Sequence, residues 1–309
     1  MDQITEPAPA KINLALHLRR KRPDGYHDLE TLFAFARDGD VVTVTPAKLD
    51  ALAITGPFAD ALQPTSTPAK AGAQDRAASK NVPSHDIRGN WTPVLAGEDQ
   101  NLVVQATVAF RAAFGCPPVA IALEKNLPIA AGIGGGSADA AAALRALARL
   151  TGTDPADHRL FAIASGLGAD VPACLLGRPS FATGRGDDLA PLPPLGDLPL
   201  LLVNPRVPMP TGAMFAAWDR IDRGPLATAG TTLDRARAGR NDFTAPAVTL
   251  APVVGEVLDL LDAAPGCTLL RLSGSGATCF GLFDDIAGRD AAAAVAGGRG
   301  WWVLPTLAT

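Results

Sequence analysis

Three short stretches carry residue types that could do chemistry together. Near the start, Pro9-Ala10-Lys11-Ile12-Asn13-Leu14 sets a cation and an amide two residues apart. Farther along, Gly132-Ile133-Gly134-Gly135-Gly136-Ser137 packs four glycines into five residues. Then Gly166-Leu167-Gly168-Ala169-Asp170-Val171-Pro172 sets one carboxylate in a glycine-rich bend. Glycines let the backbone take positive φ and come close to a ligand. Where such a run opens a helix, the unpaired N–H groups and the helix dipole favour an anion, so the middle stretch suits a phosphate chain. It is not a Walker A loop, because no Gly-Lys-Ser/Thr follows at the required spacing. It is not a dinucleotide fingerprint either, since Ser137 stands where the third glycine belongs. The other two stretches say less by themselves. Asp170 has the setting of a turn-former, and Lys11 with Asn13 that of a solvated strand face.

The elements that must position these residues follow from periodicity. Ile12, Leu14, Leu16 and Leu18 share one face of a strand, and Lys11, Asn13, Ala15 and His17 the other. After the turn Arg22-Pro23-Asp24-Gly25 come Tyr26, the only tyrosine, and His27; Leu29, Thr31, Phe33 and Phe35 then alternate, and Gly39–Pro46 reads as a further strand. The chain therefore opens as antiparallel sheet. Leu102 to Phe110 suits a helix closed by Gly115 and Pro117. Val119, Ile121 and Leu123 alternate as a strand leading into the glycine loop. The Ala-rich helix behind the loop runs to Gly152, with Ser137 expected as its N-cap. Asp154-Pro155 is expected to start the next helix. A second half follows with a strand at Leu198–Val203, short helices near Phe215 and Leu261, a glycine-serine turn at Ser273-Gly274-Ser275-Gly276, and a strand over Cys279–Phe283. An Ala-rich helix and a last strand at Trp301–Leu304 close an α+β sandwich.

Length and composition bound the rest. The 309 residues, 48% hydrophobic, suffice for two domains. A net charge of −4 indicates no polyanion-binding surface, so no nucleic-acid partner is expected. Cys116, Cys174, Cys267 and Cys279 are far apart, without metal-type spacing, and read as reduced core thiols. Neither a secretory leader nor a run of membrane-spanning length is visible, so a cytoplasmic protein is expected. Residues 63–98 mix Pro, Ser, Ala, Gly and charge with no period, and read as a mostly disordered insertion without a catalytic role.

Taken in order, Pro9–Leu14, Pro128–Ala140 and Leu272–Ala277 resemble the three motifs of the GHMP kinases, which include galactokinase, homoserine kinase and mevalonate kinase. The stretches Arg22–Phe33, Gly166–Pro172, Pro210–Phe215 and Arg240–Phe243 are similar to the branch acting on 4-diphosphocytidyl-2-C-methyl-D-erythritol in the non-mevalonate isoprenoid route. The resemblance covers the chain apart from residues 63–98. It implies a two-domain fold with a ribosomal protein S5 domain 2-like N-terminal domain (1–176) and an α/β sandwich C-terminal domain (177–309), separated by a deep cleft. ATP would rest on Pro128, Ile129, Ala130, Ala131, Gly132, Ile133, Gly134, Gly135, Gly136, Ser137 and Ala138. By the same resemblance Asp170 is the general base toward a tertiary hydroxyl and Lys11 its neighbour. Such a lysine would hold the carboxylate ionised and offset charge on the transferring phosphoryl group.

Substrate contacts are expected from Asn13, Tyr26, His27, Thr211, Phe215, Gly274, Ser275 and Gly276, with Tyr26 and Phe215 sandwiching the cytosine ring and His27 reading its edge. Magnesium is expected with ATP, held by Ser137 and less firmly by Asp139, which would repel phosphate at the second helical position unless a cation lay between. Two other readings stand beside this one: a mevalonate- or homoserine-type kinase, and a silent nucleotide-binding module.

Overall fold

The computed structural model describes residues 3–62, 92–93 and 101–309. The insertion expected at 63–98 therefore lies outside the described residues, apart from Thr92 and Pro93.

Two long strands form the frame. β1 (Ile4–Lys21) and β2 (His27–Pro46) pair antiparallel along their whole length, with register shifts after Pro9, Asn13 and Leu18. β2 continues through Arg37–Asp40, where the sequence suggested a break between two strands. Gly39 makes this possible: a Cβ there would fall 2.1 Å from the Ala8 carbonyl oxygen, so only glycine lets the two backbones lie this close. β1 is buried on both faces from Ala10 to Leu18, so the solvated Lys11–Asn13 face that the segment by itself suggests is not formed. Ile12 and Leu14 join an apolar cluster that reaches Leu200, Leu202 and Phe280 of the second half. His17 is buried too; its Nε2 accepts from the Arg240 N–H at 3.1 Å, which leaves Nδ1–H to donate to the Gly224 carbonyl at 3.2 Å.

Outward from β2 the first sheet continues with β5 (Val119–Glu124), antiparallel, and β3 (Ala51–Thr55), parallel to β5 and edged by β4 (Thr92–Pro93). Against it lie α1 (Leu102–Phe114) and α2 (Gly135–Thr151). Seven alanines of α2 are buried, and their small side chains let the helix pack against β1, β2, α1 and the short α4 (Val171–Leu176) together. The helix expected from Asp154 begins later, as α3 (His158–Leu167), because Asp157 accepts from the Arg159 N–H and takes the cap, while Asp154 forms a turn with Ala156.

The hairpin β6 (Ser180–Thr183) and β7 (Asp188–Pro191), which the sequence reading placed in the second half, pairs onto β2. The second sheet runs β11 (Trp302–Ala308), β8 (Leu198–Asn204), β10 (Cys279–Phe283) and β9 (Cys267–Leu272), all antiparallel. β11 also bridges to β2 through Ala308 and Ala36. Around this sheet lie α5 (Thr211–Ala217), α6 (Thr232–Ala238), α7 (Thr244–Leu250), α8 (Val253–Asp262) and α9 (Ile286–Gly298). All four cysteines are free thiols. Among the described residues no helix is long and apolar enough to cross a membrane.

Candidate active site

Between the halves lies a cleft of about 410 Å³ lined by all three sequence motifs. The chain direction of β1 delivers Lys11, whose N–H donates to the Ile133 carbonyl at 2.9 Å and so ties the strand to the glycine loop. The Lys11 ammonium is buried. It donates to Asn13 Oδ1 at 2.9 Å, lies 3.1 Å from Asp170 Oδ2, and sits 5.1 Å from the centre of the Phe33 ring. Asn13 is held in turn: its Nδ2 donates to the Thr31 hydroxyl at 2.8 Å, and that hydroxyl donates to the Ala15 carbonyl. Asp170 stands at the N-cap position of α4 without capping it, and its side chain is 39% exposed toward the cleft. Lysine and carboxylate, 159 positions apart, thus form one ion pair on the cleft wall.

The glycine loop reaches α2 by a route other than the one expected. Gly134, at φ 64°, is the N-cap, and Ser137 is the third residue of the helix, inside the cleft lining. Ser137 is not needed as a cap because Gly134 takes the left-handed conformation that starts the turn. Asp139 is the fifth helical residue, buried rather than facing phosphate, and the cation beside it is a lysine. Lys125 donates to Asp139 Oδ2 at 2.7 Å and to Asp40 Oδ2. Asp40 is fully supplied, since its other oxygen accepts from the Asn126 and Leu127 N–H groups at 2.6 and 2.8 Å. Two carboxylates therefore share one ammonium, and Asp139 Oδ1 is buried with no hydrogen-bond partner. Burial pushes the Asp139 carboxyl up to about 8, against the pull of Lys125 and with the help of Asp40.

A testable pH effect follows. A carboxyl whose folded value exceeds its unfolded value near 4 binds more protons when folded between those limits, so it makes stability fall as pH rises toward 8. Asp139→Asn should flatten that fall, read by denaturant unfolding at pH 6 and pH 8.5. An unchanged slope would show that Asp139 is already ionised at pH 6.

Other residues expected in the nucleotide site are divided. Ala130, Ala131, Gly132, Gly134, Gly135, Gly136 and Ser137 line the main cleft. Pro128 and Ile129 line a side cavity of about 180 Å³ with Asn101, Lys125 and Asp139. Ile133 and Ala138 are buried and line neither. On the opposite wall, Thr211, Phe215, Gly274 and Ser275 do line the cleft, while Gly276 turns inward and donates its N–H to the Ser273 carbonyl. The Thr211 and Ser275 hydroxyls are 3.0 Å apart. Asn241 explains the Arg240–Phe243 motif: its Nδ2 donates to the carbonyls of Leu272 and Gly274, both at 2.8 Å, and so holds the second glycine turn in shape.

The expected ring sandwich takes another form. The ring against Phe215 is that of His27, stacked at 4.4 Å and 15°, with Trp218 at its edge. Tyr26 is 54% exposed, beneath the Arg185 guanidinium. Desolvation, Lys21 and Arg220 lower the His27 pKa, so the imidazole is neutral near pH 7. Arg185, Lys125 and Asp40 were missed because single charged residues outside a motif carry no period. Only the place of Lys125 beside the loop could have flagged it.

The family described as "GHMP kinases N terminal domain" matches residues 101–178, and "GHMP kinases C terminal" matches 222–298. A 4-diphosphocytidyl-2-C-methyl-D-erythritol kinase from Rhizorhabdus wittichii is 50% identical over 307 residues, covering 97% of this chain and 93% of that protein. The chain belongs to the GHMP kinases, in the branch of these enzymes. A second such relative, from Paramagnetospirillum magneticum, is 41% identical over 99% of this chain and 98% of its own length. Among solved structures, a 4-(cytidine 5'-diphospho)-2C-methyl-D-erythritol kinase superposes with a TM-score of 0.74 at 34% identity, covering 99% of this chain and all of that one. A homoserine kinase from Cytophaga hutchinsonii, at TM-score 0.68 and 17% identity over 100% of this chain and 95% of that one, shares the two-domain GHMP kinase fold alone. The chain is accordingly an ATP-dependent kinase with the α+β architecture expected from its motifs.

Proposed function

We propose that this kinase transfers the γ-phosphoryl group of ATP to the 2-hydroxyl of 4-diphosphocytidyl-2-C-methyl-D-erythritol. The observation that carries the reading is the Lys11–Asp170 ion pair, set in one cleft between the glycine loop and the Thr211–Phe215 wall. Asp170 takes the hydroxyl proton as the oxygen bonds to the γ-phosphorus, and the β–γ bridging bond breaks with its electrons leaving on ADP. Lys11 keeps Asp170 ionised and faces the charge that spreads over the transferring group. Asn13, fixed by Thr31, orients the acceptor.

Magnesium neutralises phosphate charge when bound, and the hard oxygen donors of Ser137 and Asp139 suit it. The unpartnered Asp139 Oδ1 supports that fit, because a cation bound there would meet an oxygen otherwise left without a partner.

The test is an assay of purified protein with ATP and each candidate alcohol. Phosphorylation of the cytidyl substrate with one ADP per product is expected, and turnover of mevalonate or homoserine in its place overturns the reading. The base end can be tested separately. Phe215→Ala and His27→Ala should each raise KM for the cytidyl substrate about tenfold, on the scale of base stacking, and leave KM for ATP unchanged. Equal rises for both substrates would place the His27–Phe215 stack outside the acceptor site.

A further inference from the structure

Arg185 belongs to no motif, yet the fold places it with care. It occupies the turn between β6 and β7, flanked by Gly184 at φ 67° and Gly186 at φ 100°, conformations that favour glycine. The turn is anchored to β2, where the Leu29 N–H donates to the Gly184 carbonyl at 2.8 Å. Gly186 neighbours Phe33, since a Cβ on it would lie in ordinary contact at 3.9 Å from the tip of that ring, the same ring that Lys11 covers from the reacting end. On its other side the guanidinium lies 5.0 Å from the centre of the Tyr26 ring. Along this wall the order is Asp170 and Lys11, then Phe33, then Arg185, then Tyr26. Arg185 thus stands between the reacting end and the Tyr26 ring.

The charges around it leave a task unfilled. Among the described residues that line the cleft, the cations are Lys11 and Arg185 and the only carboxylate is Asp170. Lys11 is committed to Asp170 and Asn13. Arg185 is steadied by Asp187, but that pair uses only Nε and Nη2, both aimed at a single Asp187 oxygen. Nη1 takes no part in it. The Tyr26 hydroxyl is the other hydrogen-bond partner, which still leaves part of the five-donor fork for a phosphate, a group this planar cation commonly contacts.

We propose that Arg185 binds the diphosphate bridge of the acceptor substrate and so selects nucleoside diphosphate derivatives over uncharged nucleosides. This inference rests on the cytidyl-substrate reading above, since that acceptor carries its diphosphate between a base and the hydroxyl to be phosphorylated. The order matches the wall: hydroxyl at Asp170, diphosphate at Arg185, and base beyond it on the Tyr26–His27 side.

The test measures binding of cytidine and CDP to the full chain, with a non-hydrolysable ATP analogue filling the nucleotide site. Binding of both to the wild-type protein reports on the substrate reading, and the change in their ratio on mutation reports on Arg185. Arg185→Gln should weaken CDP about tenfold or more while leaving cytidine within about twofold. It should raise KM for the diphosphate-bearing acceptor by a similar factor and leave KM for ATP unchanged, which also shows that the variant is folded. Arg185→Lys should recover part of the CDP affinity, because a point charge remains without the fork. If cytidine and CDP weaken together, or neither changes, or KM for ATP rises equally, the inference is overturned.

Discussion

Asp170→Asn lowers kcat by roughly a hundredfold or more, with KM for ATP close to the wild-type value. The substitution keeps the shape of the side chain and removes both its charge and its capacity to accept a proton. Folding should be little affected, because Asp170 makes no capping hydrogen bond to α4 and its side chain is 39% exposed to the cleft. The Lys11 ammonium would still reach Asn13 Oδ1. A residue that merely shapes the bend would behave the other way, with a lower melting temperature and an intact kcat. Steady-state kinetics and thermal unfolding of the same preparation separate the two outcomes. Near-normal turnover would return Asp170 to the role of a turn residue.

Gly132→Ala destabilises the chain by about 3 kcal/mol or more, from strain at positive φ added to backbone overlap. Gly132 sits at φ 76°, and a Cβ there would fall 2.4 Å from the Ser273 carbonyl oxygen and 2.7 Å from both the N and O of Gly276. These are backbone atoms of the second glycine turn and cannot swing aside. Gly136→Ala is the control. Its Cβ would meet only Leu102 Cδ1, at 3.7 Å, within a helix where alanine is favoured over glycine. That variant should fold at least as stably as the wild type and show its effect in KM for ATP. Denaturant unfolding of both proteins checks the contrast. A Gly132→Ala protein as stable as the wild type would mean that the two turns do not touch backbone to backbone.

Much of the site was legible because its parts obey local rules. The strand over Val119–Glu124, the glycine run and the alanine helix each carry a period or a composition that a single window can see. Lys11 and Asn13 could be assigned to one strand face for the same reason, although not to a buried one, because burial of that face depends on residues hundreds of positions away. The Lys125–Asp40–Asp139 cluster was illegible: its members are 85 and 14 positions apart, and charge pairing leaves no periodic trace. Ser137 was misread as a cap because the left-handed Gly134 does that work through its backbone, with no side chain to announce it. In the sequence Gly39 reads as the start of a further strand, while it carries β2 straight through by its close approach to Ala8. Fold and reaction class came from short motifs; the electrostatic setting of the cleft did not.

The contact between the two glycine turns also bears on how the molecule comes apart. At the cleft floor the Ser273 hydroxyl donates to the Gly132 carbonyl at 3.0 Å and accepts from the Asn13 N–H, while the Thr278 N–H donates to the Ala131 carbonyl at 3.2 Å. Arg271 adds donations to the Leu14 and Ala236 carbonyls. One half cannot melt without stripping backbone partners from the other, so cooperativity is seated in the cleft floor itself. The amides of Asn13 and Thr278 should then exchange with solvent only through global opening, although the cleft lies beside them. A closure around ligands would then fall to the rims, the β6–β7 turn on one side and α5 on the other, because moving the floor would break these hydrogen bonds.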